Sequence, residues 1–140
     1  MPAKAAVGYS GTPLVSKFGI KTGHRMLLLD PPRDFLSTLG ELPEGVKLEK
    51  ESARGLDVII SFEMDAKNME RSLPELKRCI AQNGMIWMAW PKKASKAKTD
   101  ITEDVVRNSA LAVGLVDIKV CAIDETWSGL KLVIPVKDRK

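Results

Sequence analysis

The residues equipped for chemistry in this sequence recur just after apolar runs. Asp30 closes "HRMLLLD", Glu63 and Asp65 follow "LDVIISF", and Trp90, Lys92 and Lys93 end "MIWMAWPKK". Asp30 and Glu63 are candidates for paired carboxylates in acid–base work. The competing reading, favoured on frequency, is that acids after strands cap the next helix. "PKKASKAK" carries four lysines in eight residues. Such a loop can clamp phosphate or a nucleic-acid backbone, although a charge run in a loop is more often only solvated. "DETWSG" brings Asp124, Glu125, Trp127 and Ser128 together. It reads equally as part of a binding rim and as a hairpin turn whose tryptophan covers the end of the core.

Nucleophilic and metal chemistry are poorly supplied. His24, the one histidine, opens a strand with no acid or nucleophile beside it, and Cys79 and Cys121 sit in apolar patterns without metal-ligand spacing. Free buried thiols in a reducing compartment are the expectation. "GIKTG" is a turn that lacks the remaining spacing of a phosphate-binding loop. Neither a catalytic triad nor a metal set can be assembled, so no catalytic residue is assigned.

The elements that must position these residues are legible from punctuation and periodicity. Residues 1–11 have no pattern and are expected to form an arm. "TPLVSKFG" reads as a short helix with Thr12 as N-cap, Pro13 at the first helical position and Gly19 as the stop. "HRMLLLD" is a strand covered on both faces. "DFLSTLG" is a short helix with Phe35, Leu36 and Leu39 inward, and "VKLEK" is an edge strand with one wet face. "LDVIISF" (56–62) is a second buried strand. A helix follows with Ala66, Met69, Leu73, Leu76 and Ile80 on one face, kinked or restarted at Pro74 and ended by Asn83-Gly84. "MIWMAW" is a third buried strand, and 92–99 is the lysine-rich loop. Thr102 caps a helix with Val106, Ala110 and Val113 inward and Gly114 at its end. "LVDIKVCAIDE" and "WSGLKLVIPV" have so little between them that they must form an antiparallel hairpin.

This alternation predicts an α/β three-layer sandwich around a mostly parallel, Rossmann-like sheet ending in an antiparallel hairpin, all in one domain spanning 1–140. One joint is tight. Residues 51–55 reach only about 17–20 Å when extended, so the 46–50 strand is either vestigial or joined by a nearly straight connector. Ligands in such sheets bind outside the carboxyl ends of the strands. That edge collects Asp30, Glu63, Trp90, Lys92, Lys93, Asp124, Glu125 and Trp127, and the start of the first helix adds Tyr9, Ser10 and Thr12. These residues make up the predicted ligand-binding rim.

From "DVIISF" through "GMIWMAWP" to the reversed last strand, the order of elements over 24–136 resembles the Rossmann-like methyltransferase fold. More specifically, "GYSGTPLVSKFGIKTGHRMLLLDPP", "WPKK", "TDITEDVVR" and "GLVDIKVCAIDETWSGLKLVIP" resemble a family of small bacterial proteins, domain of unknown function 3052. That resemblance implies a compact single-domain protein of bacterial origin and carries no activity with it. In methyltransferases of this fold the first strand runs into a Gly-rich turn; here Asp30 is followed by Pro31-Pro32-Arg33-Asp34. Proline removes a backbone donor and adds a ring. An acid to grip a ribose has only Glu49 and Glu51 as candidates, and a further helix and strand are missing. The resemblance therefore points to a degenerate relative with no cofactor, the alternative being an S-adenosylmethionine-dependent methyltransferase with an atypical turn.

Composition agrees with a folded, water-soluble domain. The chain has 140 residues, 44% hydrophobic and 29% charged, with a net charge of +4. No apolar run is long enough to span a membrane, and a cytoplasmic location is expected. The mild basic excess suits a small anion or a protein partner. Aromatic residues make up 5% and form no stacking pattern, which argues against nucleic acid. The outer strand "GLKLVIPV" is a candidate dimer edge, with Lys131, Pro135 and Lys137 as edge protection. The expected function is a non-enzymatic ligand- or protein-binding module.

Overall fold

The computed structural model describes residues 13–140; Tyr9, Ser10, Thr12 and the 1–11 arm lie outside the described residues. The apolar runs become a six-stranded sheet in the order β2-β1-β3-β4-β6-β5, made of β1 Arg25–Leu29, β2 Lys47–Leu48, β3 Leu56–Phe62, β4 Ile80–Pro91, β5 Val116–Ala122 and β6 Trp127–Val133. β1 to β4 pair in parallel, while β6 lies antiparallel to both β4 and β5. Helices α1 Leu14–Phe18 and α2 Phe35–Leu39 cover one face; α3 Ala66–Cys79 and α4 Glu103–Ala112 cover the other.

Three layers follow from burial on both faces of β3 and β4. Along β4, Ile86, Met88 and Trp90 point into the α3/α4 core, and Trp87 and Ala89 into the α1/α2 core. Val58, Ile60 and Phe62 of β3 join the second set, and Ile59 the first. Period-two side chains buried on both sides read in sequence as the unbroken apolar runs.

Several elements differ from the sequence expectation. Pro13 is the N-cap of α1 in extended conformation, ψ 143°, and not its first helical residue. α2 has little more than one turn, so Phe35 and Leu39, four apart, take the buried side and leave Leu36 exposed. The 46–50 segment keeps two ladder residues, Lys47 and Leu48, both exposed and parallel to β1. The strand is vestigial, and its connector is clipped by Arg25. The Arg25 guanidinium donates to Glu49 and to the Arg54 carbonyl, at 2.9 and 2.8 Å.

α3 is one helix running through Pro74, with no restart. It ends at Cys79 and not at Asn83-Gly84, because Ile80 turns extended and pairs with Leu56. The register then slips between Leu56 and Val58, and a side chain at Gly84 would meet the Leu56 carbonyl at 2.6 Å. The candidate outer strand is also misplaced. β6 inserts between β4 and β5, so the sheet edge on that side belongs to β5, with β2 at the other edge. Among the described residues, no helix is long and apolar enough to cross a membrane.

Candidate functional site

At the carboxyl end of β1 the backbone turns sharply. Asp30 and Asp34 both take positive φ, 52° and 67°, a region that non-glycine residues visit only at a cost. Glu63 is half-buried, and its N–H extends the ladder to the Ala89 carbonyl at 2.9 Å. Burial raises the Glu63 carboxyl above the usual range, and Asp30 and then Asp65 raise it further. Glu63 therefore lies within reach of the charge of Asp30.

Neither of these two caps a helix. Asp34 stands at the head of α2 without a side-chain cap bond. α3 is capped by Asp65, whose carboxylate accepts from Lys67 at 2.9 Å, and by Asp100, which accepts from Ala66 at 2.8 Å. Asp100 was not singled out in the sequence. It sits one residue beyond Thr99, whose hydroxyl donates to the Met64 carbonyl at 2.6 Å, so the two stitch the lysine-rich loop to the head of α3.

The two rim tryptophans do not share a groove. The register pairs Trp90 with Ser128 and Pro91 with Trp127, so alternation sends Trp90 to the α3/α4 face and Trp127 to the other. Trp127 continues a row of edge-on aromatic contacts, Phe35 to Phe62 at 4.9 Å and Phe62 to Trp127 at 5.1 Å. This row packs the sheet end beside the Asp30 turn. Asp124 serves the hairpin itself, one carboxylate oxygen accepting from the N–H groups of Thr126 and Trp127 at 2.8 and 2.7 Å. Glu125 is exposed.

What does gather is a cleft of about 430 Å³ at the end of β4, lined by Trp90, Lys92, Lys93, Thr102 and Ser128, among others. Trp90 is 6% exposed and forms an apolar wall there with Ile101. The loop on its rim is ordered by local bonds. The Lys92 N–H donates to the Thr126 carbonyl at 2.6 Å, and the Ser95 hydroxyl to the Lys92 carbonyl at 2.7 Å. Part of the 92–99 loop winds into a single 3-10 turn, Lys93–Ser95. Thr102 caps α4 as expected, accepting from Val105 at 3.2 Å. Glu103 lines the cleft but is engaged by Arg107, which also pairs with Asp104 and Asp117. Among the described residues, no three His, Cys, Asp or Glu side chains are placed to hold a metal ion.

For an adenosyl cofactor, the residues at the β1 edge fit poorly. Pro31 and Pro32 offer no donors in the turn. Glu49, one of the two candidate ribose acids, is held by Arg25 at 2.9 Å. Residues 49–55 connect β2 to β3 with no intervening helix or strand.

The fold is nonetheless similar to solved methyltransferases. A SAM-dependent methyltransferase from Aquifex aeolicus superposes with a TM-score of 0.62 at 16% identity, covering 96% of this chain and 94% of that one. A putative methyltransferase from Thermoplasma acidophilum gives 0.58 at 10% identity, covering 89% and 75%. The magnesium protoporphyrin IX methyltransferase of Synechocystis PCC 6803, solved with bound SAH, gives 0.52 at 9% identity, covering 86% and 78%. At such identities the likeness is one of fold. No curated protein matches the sequence. Residues 39–136 match the family described as protein of unknown function DUF3052; the motif quoted from residues 8–32 lies outside that span. The chain belongs to the DUF3052 family and carries a Rossmann-like, methyltransferase-like α/β fold.

Proposed function

We propose that this domain is a non-enzymatic binding module that takes a small anion with a flat or apolar part at the end of β4. The observation that carries the reading is the cleft, about 430 Å³ with Trp90 as an apolar wall and Lys92 and Lys93 on its rim. Its size falls within the usual range for small-molecule sites, and a few polar groups on an apolar wall are what such sites need. Ser128 and Thr102 add hydroxyls, while Glu103 is drawn away to Arg107. No histidine or cysteine lines the cleft. Lysine serves here as a point charge for phosphate or carboxylate.

Phenyl phosphate is a suitable probe, joining a ring for Trp90 to an anion for the lysines. Tryptophan fluorescence should change on titration, and Lys92→Gln with Lys93→Gln should weaken binding about tenfold. No binding, or binding indifferent to both lysines, would refute the reading. Affinity for a mixed-sequence oligonucleotide that falls steeply with salt would instead mark the loop as a nucleic-acid contact.

A second reading, S-adenosylmethionine-dependent methyl transfer, is favoured by the extent of the Aquifex aeolicus match. It requires Asp30 or Glu63 to contact the cofactor from a turn that contains Pro31 and Pro32.

A further inference from the structure

Among the described residues that line the cleft at Trp90, three carry charge: Lys92, Lys93 and Glu103. The acid is out of place in a site for anions. A free carboxylate there would compete for the lysines and repel the ligand. Glu103 is also kept at the cleft by its position, as the first residue of α4 after the Thr102 cap. The helix dipole favours negative charge in that turn. What remains to be set is whether the charge of Glu103 is neutralised. Arg107, which is not among the lining residues, decides this.

The Arg107 guanidinium gives each of its nitrogens to a different carboxylate. Nη2 meets Glu103 at 2.5 Å, Nη1 meets Asp104 at 2.7 Å and Nε meets Asp117 at 3.0 Å. Glu103 and Arg107 are four apart on α4, acid first, which is the spacing of an ordinary helix-supporting ion pair. Exposed pairs of that kind hold loosely. This one has an anchor off the helix. Asp117 lies on β5, and its bond sets the guanidinium fork against the sheet. The next two strands of that sheet, β6 and β4, contribute Ser128 and Trp90 to the cleft. The Asp117 side chain is 28% exposed, against 84% for Asp104, so the anchoring bond is the more sheltered one.

We propose that Arg107 sets the charge preference of the cleft: anchored on Asp117, it holds Glu103 as a neutral pair and leaves Lys92 and Lys93 to a dianionic, phosphate-type ligand. This role rests on the reading of the cleft as an anion site and adds a positioning residue to it. Without Arg107, Glu103 would stand in the first turn of α4 with its charge uncompensated. The lysines would then hold a dianion less well.

The test is a cycle of four intact proteins: wild type, Arg107→Gln, Glu103→Gln and the two changes combined. Each is titrated with phenyl phosphate in its dianionic form and followed by tryptophan fluorescence. Arg107→Gln is expected to weaken binding about threefold to tenfold. In the Glu103→Gln background the same change should cost less than about twofold. The ratio of wild-type to Arg107→Gln affinity should also shrink at high salt, because it reflects charge near the surface. Loosening of α4 from β5 would instead weaken binding equally in both backgrounds. If Arg107→Gln is unstable because Asp117 loses its partner, Asp117→Asn added to all four proteins removes that carboxylate and keeps the cycle valid. An equal loss in both Glu103 backgrounds, or no loss in either, overturns the proposal, while wild-type binding that depends on Lys92 and Lys93 keeps the anion reading standing. Wild-type protein that does not bind phenyl phosphate refutes that reading and the role of Arg107 with it.

Discussion

The indole N–H of Trp87 donates to the carbonyl of Phe18 at 3.0 Å, in a place fully closed to solvent, and the two rings meet edge to face at 5.2 Å. Trp87 lies on β4, in the interior of the sheet, and Phe18 is the last residue of α1. One side chain thus docks a five-residue helix that has too little length to stand alone.

Trp87→Phe keeps an aromatic ring but leaves the Phe18 carbonyl buried without this partner. The expected loss is about 1–3 kcal/mol for that orphaned group, before any cavity left by the smaller ring. It should be read as a lower urea midpoint with an unchanged slope. A loss below about 0.5 kcal/mol would mean that the bond contributes nothing net.

Glu63 gives a pH signature of definite sign. Burial, Asp30 and Asp65 raise its folded carboxyl above the ordinary 4.5, so the folded chain holds the proton more tightly than the unfolded chain does. Its contribution to stability is full below that ordinary value and is lost as pH rises through the raised one. Glu63→Gln should therefore raise the melting temperature at neutral pH, with the gain vanishing in acid. Thermal melts at several pH values check this, and a destabilised variant at pH 7 would contradict it.

Asp124 is a turn residue in this account, not a ligand residue. Asp124→Ala removes the acceptor of two N–H groups and should cost about 1–2 kcal/mol. Asp124→Asn retains an acceptor and should cost less than about half as much. Neither should alter phenyl phosphate affinity by more than its effect on folding. Denaturant melts with a parallel fluorescence titration separate the two effects.

The parts legible in the sequence were those with local causes. The β3 run coincides with 56–62 because both its faces are buried, and Thr102 caps α4 through a bond three residues away. The hairpin follows from the short gap before Trp127. The parts that were not legible depend on partners far along the chain. Ile80 continues the apolar period of α3, and only its pairing with Leu56 shows that it belongs to a strand. Trp90 and Trp127 do reach the same end of the sheet. Their opposite faces follow from the β4–β6 register, which no local pattern encodes. Likewise Glu49 was a free acid in the sequence until Arg25, on another strand, held it. The acids at this end of the sheet divide accordingly: Asp65 and Asp124 answer nearby N–H groups, whereas Glu63 is half-buried and feels the charge of Asp30.

The most direct test of the account is a calorimetric titration of the intact protein with S-adenosylhomocysteine, with S-adenosylmethionine alongside. The prolines after Asp30 and the engagement of Glu49 by Arg25 predict no saturable heat and no change in tryptophan fluorescence. Micromolar binding of either compound would contradict the binding-module reading and make the Asp30 turn a cofactor site of a new kind.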